Sequence, residues 1–157
     1  MGIYERNSAR QFAEDFGIFF EKLGFPRMAG RIWGWLLTCN PPHQNAEQIA
    51  AGVEASRGSV STMTRLLMQL GLIERVGLPG ERSGFYGVRS GGFAAILQAR
   101  MRITTELRKV VEHGLEMLKD EPDSARRHLE EYRDLCRFFE REFPALIDKW
   151  KGERENR

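Results

Sequence analysis

Between Val60 and Val88 the chain changes the period of its apolar residues once, and it does so at a glycine. Val60, Met63, Leu67 and Leu70 recur at steps of three, four and three, Gly71 follows, and LIERV at 72–76 then alternates as a strand does. Gly71 lacks a Cβ and suits a helix end closed in the left-handed conformation, so a helix over 57–70 with Ser56 as its cap is predicted to stop there. GLPGERSG at 77–84 reads as a glycine-rich turn and FYGV at 85–88 as the partner strand. A short helix that runs directly into a hairpin with a charged tip is compatible with few folds.

What precedes it narrows the choice. Ser8 is placed to cap a helix with apolar positions Phe12, Phe16, Phe19 and Leu23, ending at Gly24 before Pro26. A second helix is predicted from Arg27 to about Thr38, with Ala29, Ile32, Trp33, Leu36 and Leu37 on one face and Asn40-Pro41-Pro42 as its stop. Gly30 and Gly34 lie one turn apart in it and allow another backbone to approach. Asn45 caps a short third helix with Ile49, Ala50 and Val53 inward. Helix, helix, helix and hairpin is the order of a winged helix-turn-helix. The expected fold class is mainly α with a small two- to three-stranded β-wing, followed by long dimerisation helices.

The last third of the chain supplies those helices. From Phe93 to Lys119 the apolar positions Ile96, Leu97, Ile103, Leu107, Val110, Val111, Leu115 and Leu118 describe a helix roughly 40 Å long. Beyond Pro122, Ala125, Leu129, Tyr132, Cys136, Phe139, Phe143, Leu146 and Trp150 keep a four-three alternation, the pattern of a coiled-coil seam. Pro144 lacks an amide donor, and a kink or break is expected near Glu142. Long stripes of this width are usually buried against a second copy, so a homodimer is expected. The expected organisation is an N-terminal helix in 1–26 packing on the dimerisation region, a DNA-binding domain in 27–90, a helical dimerisation region in 91–150 and a charged tail in 151–157.

Composition excludes little. The 24 basic and 22 acidic side chains nearly cancel, so a net charge of +2 argues for neither nucleic acid nor membrane. MGIYERNSARQF has no apolar signal core and no later segment approaches a membrane span, which makes a soluble, cytoplasmic protein the expectation. Cys39 and Cys136 form no disulfide pattern; Cys136 reads as a small core hydrophobe and Cys39, near a loop edge, as the better candidate for redox sensing. Cys39, His43, His113, His128 and Cys136 never reach metal-ligand spacing, so no metal or other cofactor is expected. No nucleophile-base pair, phosphate loop or paired-carboxylate motif suggests an enzyme.

The polar face of 57–70 is the candidate site. Gly58, Ser61, Thr62, Arg65 and Gln69 project away from the apolar stripe, with Arg57 and Ser59 at the helix start. Short hydroxyls at a helix N-terminus, where free N–H groups favour anions, suit close approach to phosphate, and Arg65 is of the type that binds guanine bidentately or clamps a phosphate. Arg27 and Arg31 at the start of the second helix either touch phosphates or pair locally.

GFPRMAGRIWGWLL at 24–37, then NPP, SRGSVST and RLLMQLGLIERVGLPGER, resembles the MarR-type winged-helix transcription factors, and in particular their glycine-betaine-synthesis-regulator branch. The resemblance covers residues 16–88 by motif and the C-terminal helices only by architecture. It implies a homodimeric regulator, a repressor by expectation, that binds double-stranded DNA at a pseudo-palindromic operator. The helix at 57–70 is then the recognition helix in the major groove and the 77–84 turn the wing on the flanking minor groove or backbone. The acid-arginine pair of that wing is matched by Glu81-Arg82, and Ser83 stands where many relatives carry a second basic residue. The candidate DNA-contacting set is Arg57, Ser59, Ser61, Thr62, Arg65, Gln69 and Arg82.

A small-molecule effector is a further implication. Trp35 points about 200° away from Trp33, off the apolar stripe, and needs a partner. With Tyr132, Phe139 and Trp150 it makes aromatic material for a cleft between the DNA-binding lobe and the long helices. Regulators of betaine synthesis suggest a quaternary ammonium compound held in an aromatic cage, for which Trp35 and Tyr132 are the candidates. The rival reading for the whole chain is a winged-helix protein-interaction module without DNA binding, which would expose apolar anchors on the 57–70 face.

Overall fold

A computed structural model describes residues 3–80 and 84–155, with side chains from 7 to 154 outside the wing tip. The order of elements is α1 (Ile3–Lys22), α2 (Arg27–Thr38), β1 (Gln44–Asn45), α3 (Ala46–Val53), α4 (Arg57–Gln69), β2 (Ile73–Val76), β3 (Phe85–Val88), α5 (Gly92–Met117) and α6 (Asp123–Glu155). They fall into two compact units divided between Phe93 and Ala94.

In the first unit small residues set the helix spacing. α1 starts ahead of Ser8, so Ser8 lies inside the helix and is not its cap. Its buried side is Ala9, Ala13, Gly17 and Phe20, while Phe12 and Phe19, expected inward, are exposed. The reason is the partner. Gly30 and Gly34 on α2 leave room only for a close backbone: a Cβ at Gly30 would stand 2.6 Å from the Phe16 carbonyl oxygen, and one at Gly34 3.1 Å from Ala13 Cα. Phe16 and Phe20 then reach past the glycines to the Trp33 ring, at centroid distances of 5.1 and 5.3 Å. α1, expected on the dimerisation region, thus has this packing on α2 inside the first unit.

The sheet has three strands in the order β1-β3-β2, all antiparallel. β2 and β3 pair in the register Ile73↔Val88 to Val76↔Phe85, and the short β1, not foreseen from the sequence, adds Gln44↔Tyr86 on the other edge of β3. Gly71 ends α4 with φ of +71°, where an L side chain is disfavoured, and turns the chain from helix into strand. Leu67, Leu72, Ile73, Val60, Ile49 and Ile32 are fully buried and form the centre of the unit.

In the second unit the face of α6 that is buried or half-buried is Arg126, Leu129, Arg133, Cys136, Glu140, Phe143 and Ile147. The apolar seam read from the sequence is thereby split. Leu129, Cys136 and Phe143 lie on this face, whereas Tyr132, Phe139, Leu146 and Trp150 are exposed together with Leu135 and Phe138. Arg108 on α5 donates through Nε to Glu140 at 2.9 Å and through Nη1 to Glu112 at 2.7 Å, and Arg137 joins at Glu112. α6 is not broken at Pro144 and continues to Glu155, into the stretch expected as a tail. Pro144 is exposed, so the Glu140 carbonyl that loses its amide partner can turn to water, while Phe143 and Ile147 on the inner side carry the helix past it. Among the described residues no helix is long and apolar enough to cross a membrane.

Candidate nucleic-acid interface

α3, residues 54–56 and α4 form the helix-turn-helix. Both helix starts are set by short-range chemistry. Asn45 accepts from Gln48 N at 2.9 Å while Gln48 Oε1 accepts from Asn45 N at 2.9 Å, a reciprocal capping box. Ser56 Oγ accepts from Ser59 N at 3.2 Å and caps α4.

α4 separates its faces cleanly. Val60 and Leu67 are fully buried, and Thr64 between them is buried with its hydroxyl donating to Val60 O at 2.8 Å. Back-bonding of this kind hides the hydroxyl and lets threonine act as a core residue; the sequence reading had missed it. On the other face Arg57, Gly58, Ser61, Thr62, Arg65 and Gln69 are exposed and Ser59 is half-exposed. A Cβ at Gly58 would meet nothing within 4 Å, so the helix start stands open to an incoming surface. Thr62 donates to Gly58 O at 3.1 Å, and Arg57 pairs with Glu47 of α3 at 2.6 Å, tying the first turns of the two helices. Arg65 and Gln69 have no hydrogen bond or ion pair among the described residues. They are long donors aimed outward from a rigid, well-capped helix.

The wing is the β2–β3 hairpin. Glu81, Arg82 and Ser83 lie outside the described residues. Arg75 on β2, absent from the sequence-derived set, is exposed with its guanidinium 5.9 Å from the centre of the Tyr86 ring. In the β2–β3 register Arg75 stands opposite Tyr86, a cross-strand pairing that the sequence alone did not reveal.

The other sequence candidates are placed as follows. Arg27 and Arg31 both pair with Glu14 of α1, and Arg31 also donates to Val53 O at 2.8 Å, so the local pairing holds for both. Trp35 is buried and donates through Nε1 to Gln44 Oε1 at 2.7 Å. Its ring fills the space that a Cβ at Gly52 would need, 2.3 Å away. Tyr132 is exposed on α6 in the other unit. Cys39 is buried with its thiol pushed above the usual range by desolvation, which opposes the thiolate that redox sensing requires. His43 packs its ring on Gly87 of β3. Among the described residues no three His, Cys, Asp or Glu side chains gather as metal ligands.

A three-helix core, a three-stranded wing and an outward polar face on the second helix of the helix-turn-helix define a winged-helix protein of the DNA-binding class. Residues 91–154 match the sequence profile of the MmpR5-like MarR family transcriptional regulators. The chain is 40% identical over 130 residues to the HTH-type transcriptional regulator MmpR5 of Mycobacterium tuberculosis, covering 83% of this chain and 79% of that protein. A crystal structure of a transcriptional regulator, 36% identical, covers 96% of this chain and 99% of its own with a TM-score of 0.67. The chain belongs to the MarR family of transcriptional regulators, in its MmpR5-like group. It is a DNA-binding regulator and not an enzyme.

Proposed function

We propose that the protein represses transcription as a homodimer bound to a pseudo-palindromic operator, with α4 in the major groove and the 77–84 turn along the flanking minor groove or backbone. The observation that carries this reading is the pair of exposed donors on α4, Arg65 and Gln69, whose side chains have no partner among the described residues, on a helix whose opposite side buries Val60, Thr64 and Leu67. An interaction module would show apolar anchors on that face, and the exposed residues there are arginines, hydroxyls and an amide. Arg57, Ser59, Ser61, Thr62, Arg65, Gln69 and Arg82 form the contact set, to which Arg75 is added on the strength of its place on Tyr86. In this assignment residues 27–90 bind DNA and 91–150 dimerise. The exposed apolar rows on α5 and α6 supply the dimer surface.

The finer resemblance to regulators of betaine synthesis supports a quaternary ammonium compound as effector. Trp35, enclosed and bonded to Gln44, is not available as a cage wall in this conformation, which leaves Tyr132 and the other exposed aromatics of α6. Titration with glycine betaine and choline, read as a change in operator affinity, tests it; no change at millimolar concentrations removes it.

For the main reading, selection of bound duplexes from a random pool is the test. Enrichment of a two-fold symmetric site, with half-sites about one helical turn apart, is expected. Enrichment of nothing, or of asymmetric sites only, would overturn it.

A further inference from the structure

The last turn of α3 is held in place by arginines that belong to other helices. Glu54 and Ala55 both donate their amides to Ala50 O, and the chain turns at Glu54 with φ 51° and ψ 49°, a left-handed conformation that a residue other than glycine adopts at a cost. The next three carbonyls each accept from a guanidinium. Arg10 of α1 donates through Nη2 to Ala51 O at 3.1 Å and through Nε to Gly52 O at 3.1 Å, and Arg31 of α2 donates through Nη2 to Val53 O at 2.8 Å. Arg10 Nη1 also donates to the Glu54 carboxylate at 2.6 Å.

The chemistry fits the place. The C-terminal end of a helix carries partial negative charge and unpaired carbonyls, and a cation there is favoured on both counts. A guanidinium presents donors along two edges of one plane, so Arg10 reaches two carbonyls and a carboxylate at once; an ammonium is a single point of donation. Glycine at position 54 would relieve the backbone, but it would remove the carboxylate that anchors Arg10. Trp35 closes the remaining side, where Gly52 leaves no space for a methyl group. Two residues past Glu54, Ser56 caps α4, and the exposed residues of the DNA-facing side begin at Arg57.

We propose that Arg10 and Arg31 are positioning residues for DNA recognition: neither touches DNA, and together they fix where α4 starts by holding the end of α3. The proposal rests on the reading of α4 as the recognition helix. Its physical content is that 54–56 is a short connection with little freedom of its own, so the direction of α4 follows the last turn of α3. Loosening that turn spreads the positions of Arg65 and Gln69 over several angles. A base-edge contact needs one geometry, whereas attraction to phosphates tolerates many.

The test uses the full-length protein and the variants Arg10→Ala, Arg10→Lys, Glu54→Gln, Arg31→Ala and, as a control, Arg65→Ala. Without DNA, amide hydrogen exchange at residues 54–59 should quicken about tenfold in Arg10→Ala, as local opening there becomes easier. With DNA, the ratio of affinities for the selected operator and a random duplex should fall about tenfold while the salt dependence of binding stays unchanged, since no phosphate contact has been removed. Arg10→Lys should recover part of the ratio, and Glu54→Gln, which keeps the main-chain bonds, should lose less than Arg10→Ala; these milder variants carry the test if Arg10→Ala does not fold. Unchanged exchange at 54–59 overturns the proposal. So does a protein that is merely less stable with its operator-to-random ratio intact, or a reduced salt slope, which would make Arg10 a DNA contact. If Arg65→Ala leaves discrimination intact, the recognition-helix reading fails and takes the DNA part of this proposal with it, while the exchange measurement still decides whether the arginines hold the turn.

Discussion

Trp35 and Gln44 share a buried hydrogen bond of 2.7 Å in which the indole N–H donates to the amide oxygen, and this bond joins α2 to the strand that begins the helix-turn-helix. Trp35→Phe keeps most of the ring and removes the donor, leaving the Gln44 oxygen buried without a partner. A loss of about 1–3 kcal/mol is expected from such an orphaned acceptor. The midpoint of urea unfolding measures it, and an unchanged midpoint would mean that Gln44 turns to water at little cost.

The glycines of this fold are not equivalent. Gly30→Ala would put a methyl group 2.6 Å from the Phe16 carbonyl oxygen, part of the α1 backbone, so the two helices must separate. Destabilisation of about 1–3 kcal/mol is expected. Gly58→Ala enters open space on an exposed helix and should stabilise by about 0.5–1 kcal/mol, because alanine loses less backbone freedom on folding. Thermal unfolding of the two variants should shift in opposite directions.

Arg65 and Thr62 are expected to differ in what they report. Arg65→Ala should weaken the preferred operator by about 1–3 kcal/mol per half-site and random duplex much less, the signature of a lost bidentate base contact. Thr62, whose hydroxyl is already turned to Gly58 O, should when changed to alanine lower both affinities by similar, smaller factors. Equal losses for Arg65→Ala would make it a phosphate clamp and move specificity to Ser61, Gln69 or the wing.

Assembly can be separated from folding because the apolar rows of α5 are open in the single chain. Val110 is 69% exposed and Ile103 71%, so a charge at either position is solvated in a monomer and buried only in a dimer. Val110→Glu should sediment near the 18.1 kDa of one chain with its helical circular dichroism intact, whereas the parent is expected to sediment at about twice that mass if the proposed dimer forms. Leu129 is a poorer site for this test, since it lies against Gly114 within the chain.

Acid should loosen the α5–α6 pair. The Arg108 guanidinium holds the Glu112 carboxyl below the usual range, and the Thr105 hydroxyl, with Arg108, does so for Glu140. A carboxyl depressed in the folded state contributes fully above its unfolded value, about 4.3, and that contribution is lost as pH falls through the lower folded value. The urea midpoint of the parent should therefore fall more between about pH 6 and pH 3 than that of Arg108→Met, in which both carboxyls have lost this partner. Parallel falls would show that these ion pairs add nothing beyond solvation.

The sequence by itself determined what depends on residues a few positions apart. The limits of α2, the caps Asn45 and Ser56, the left-handed Gly71, the two wing strands and the outward face of α4 all follow from helical and strand periods and from side chains that bond to the nearest amides. The polar face was legible because a helix core-side stripe fixes its opposite side. Only the tertiary structure decided the rest. Ala9, Ala13 and Gly17 join Phe16 and Phe20 on the side of α1 that meets α2, while Phe12 and Phe19 point outward, because the glycines of α2 set the helix spacing and periodicity does not reveal a partner's shape. Two apolar faces of α6 were read as one seam, since a four-three pattern does not say which neighbour takes which row, and Arg133 and Glu140 lie inward where a sequence reading expects solvent. Pro144 stays within its helix because solvent stands on its side and packing on the other. Trp35 found its partner in Gln44, nine residues on, and the arginines that finish α3 come from as far as 42 residues away. Bonds of that reach exist only after the chain has folded, because the long loop they close is held together by the burial of the helices between them.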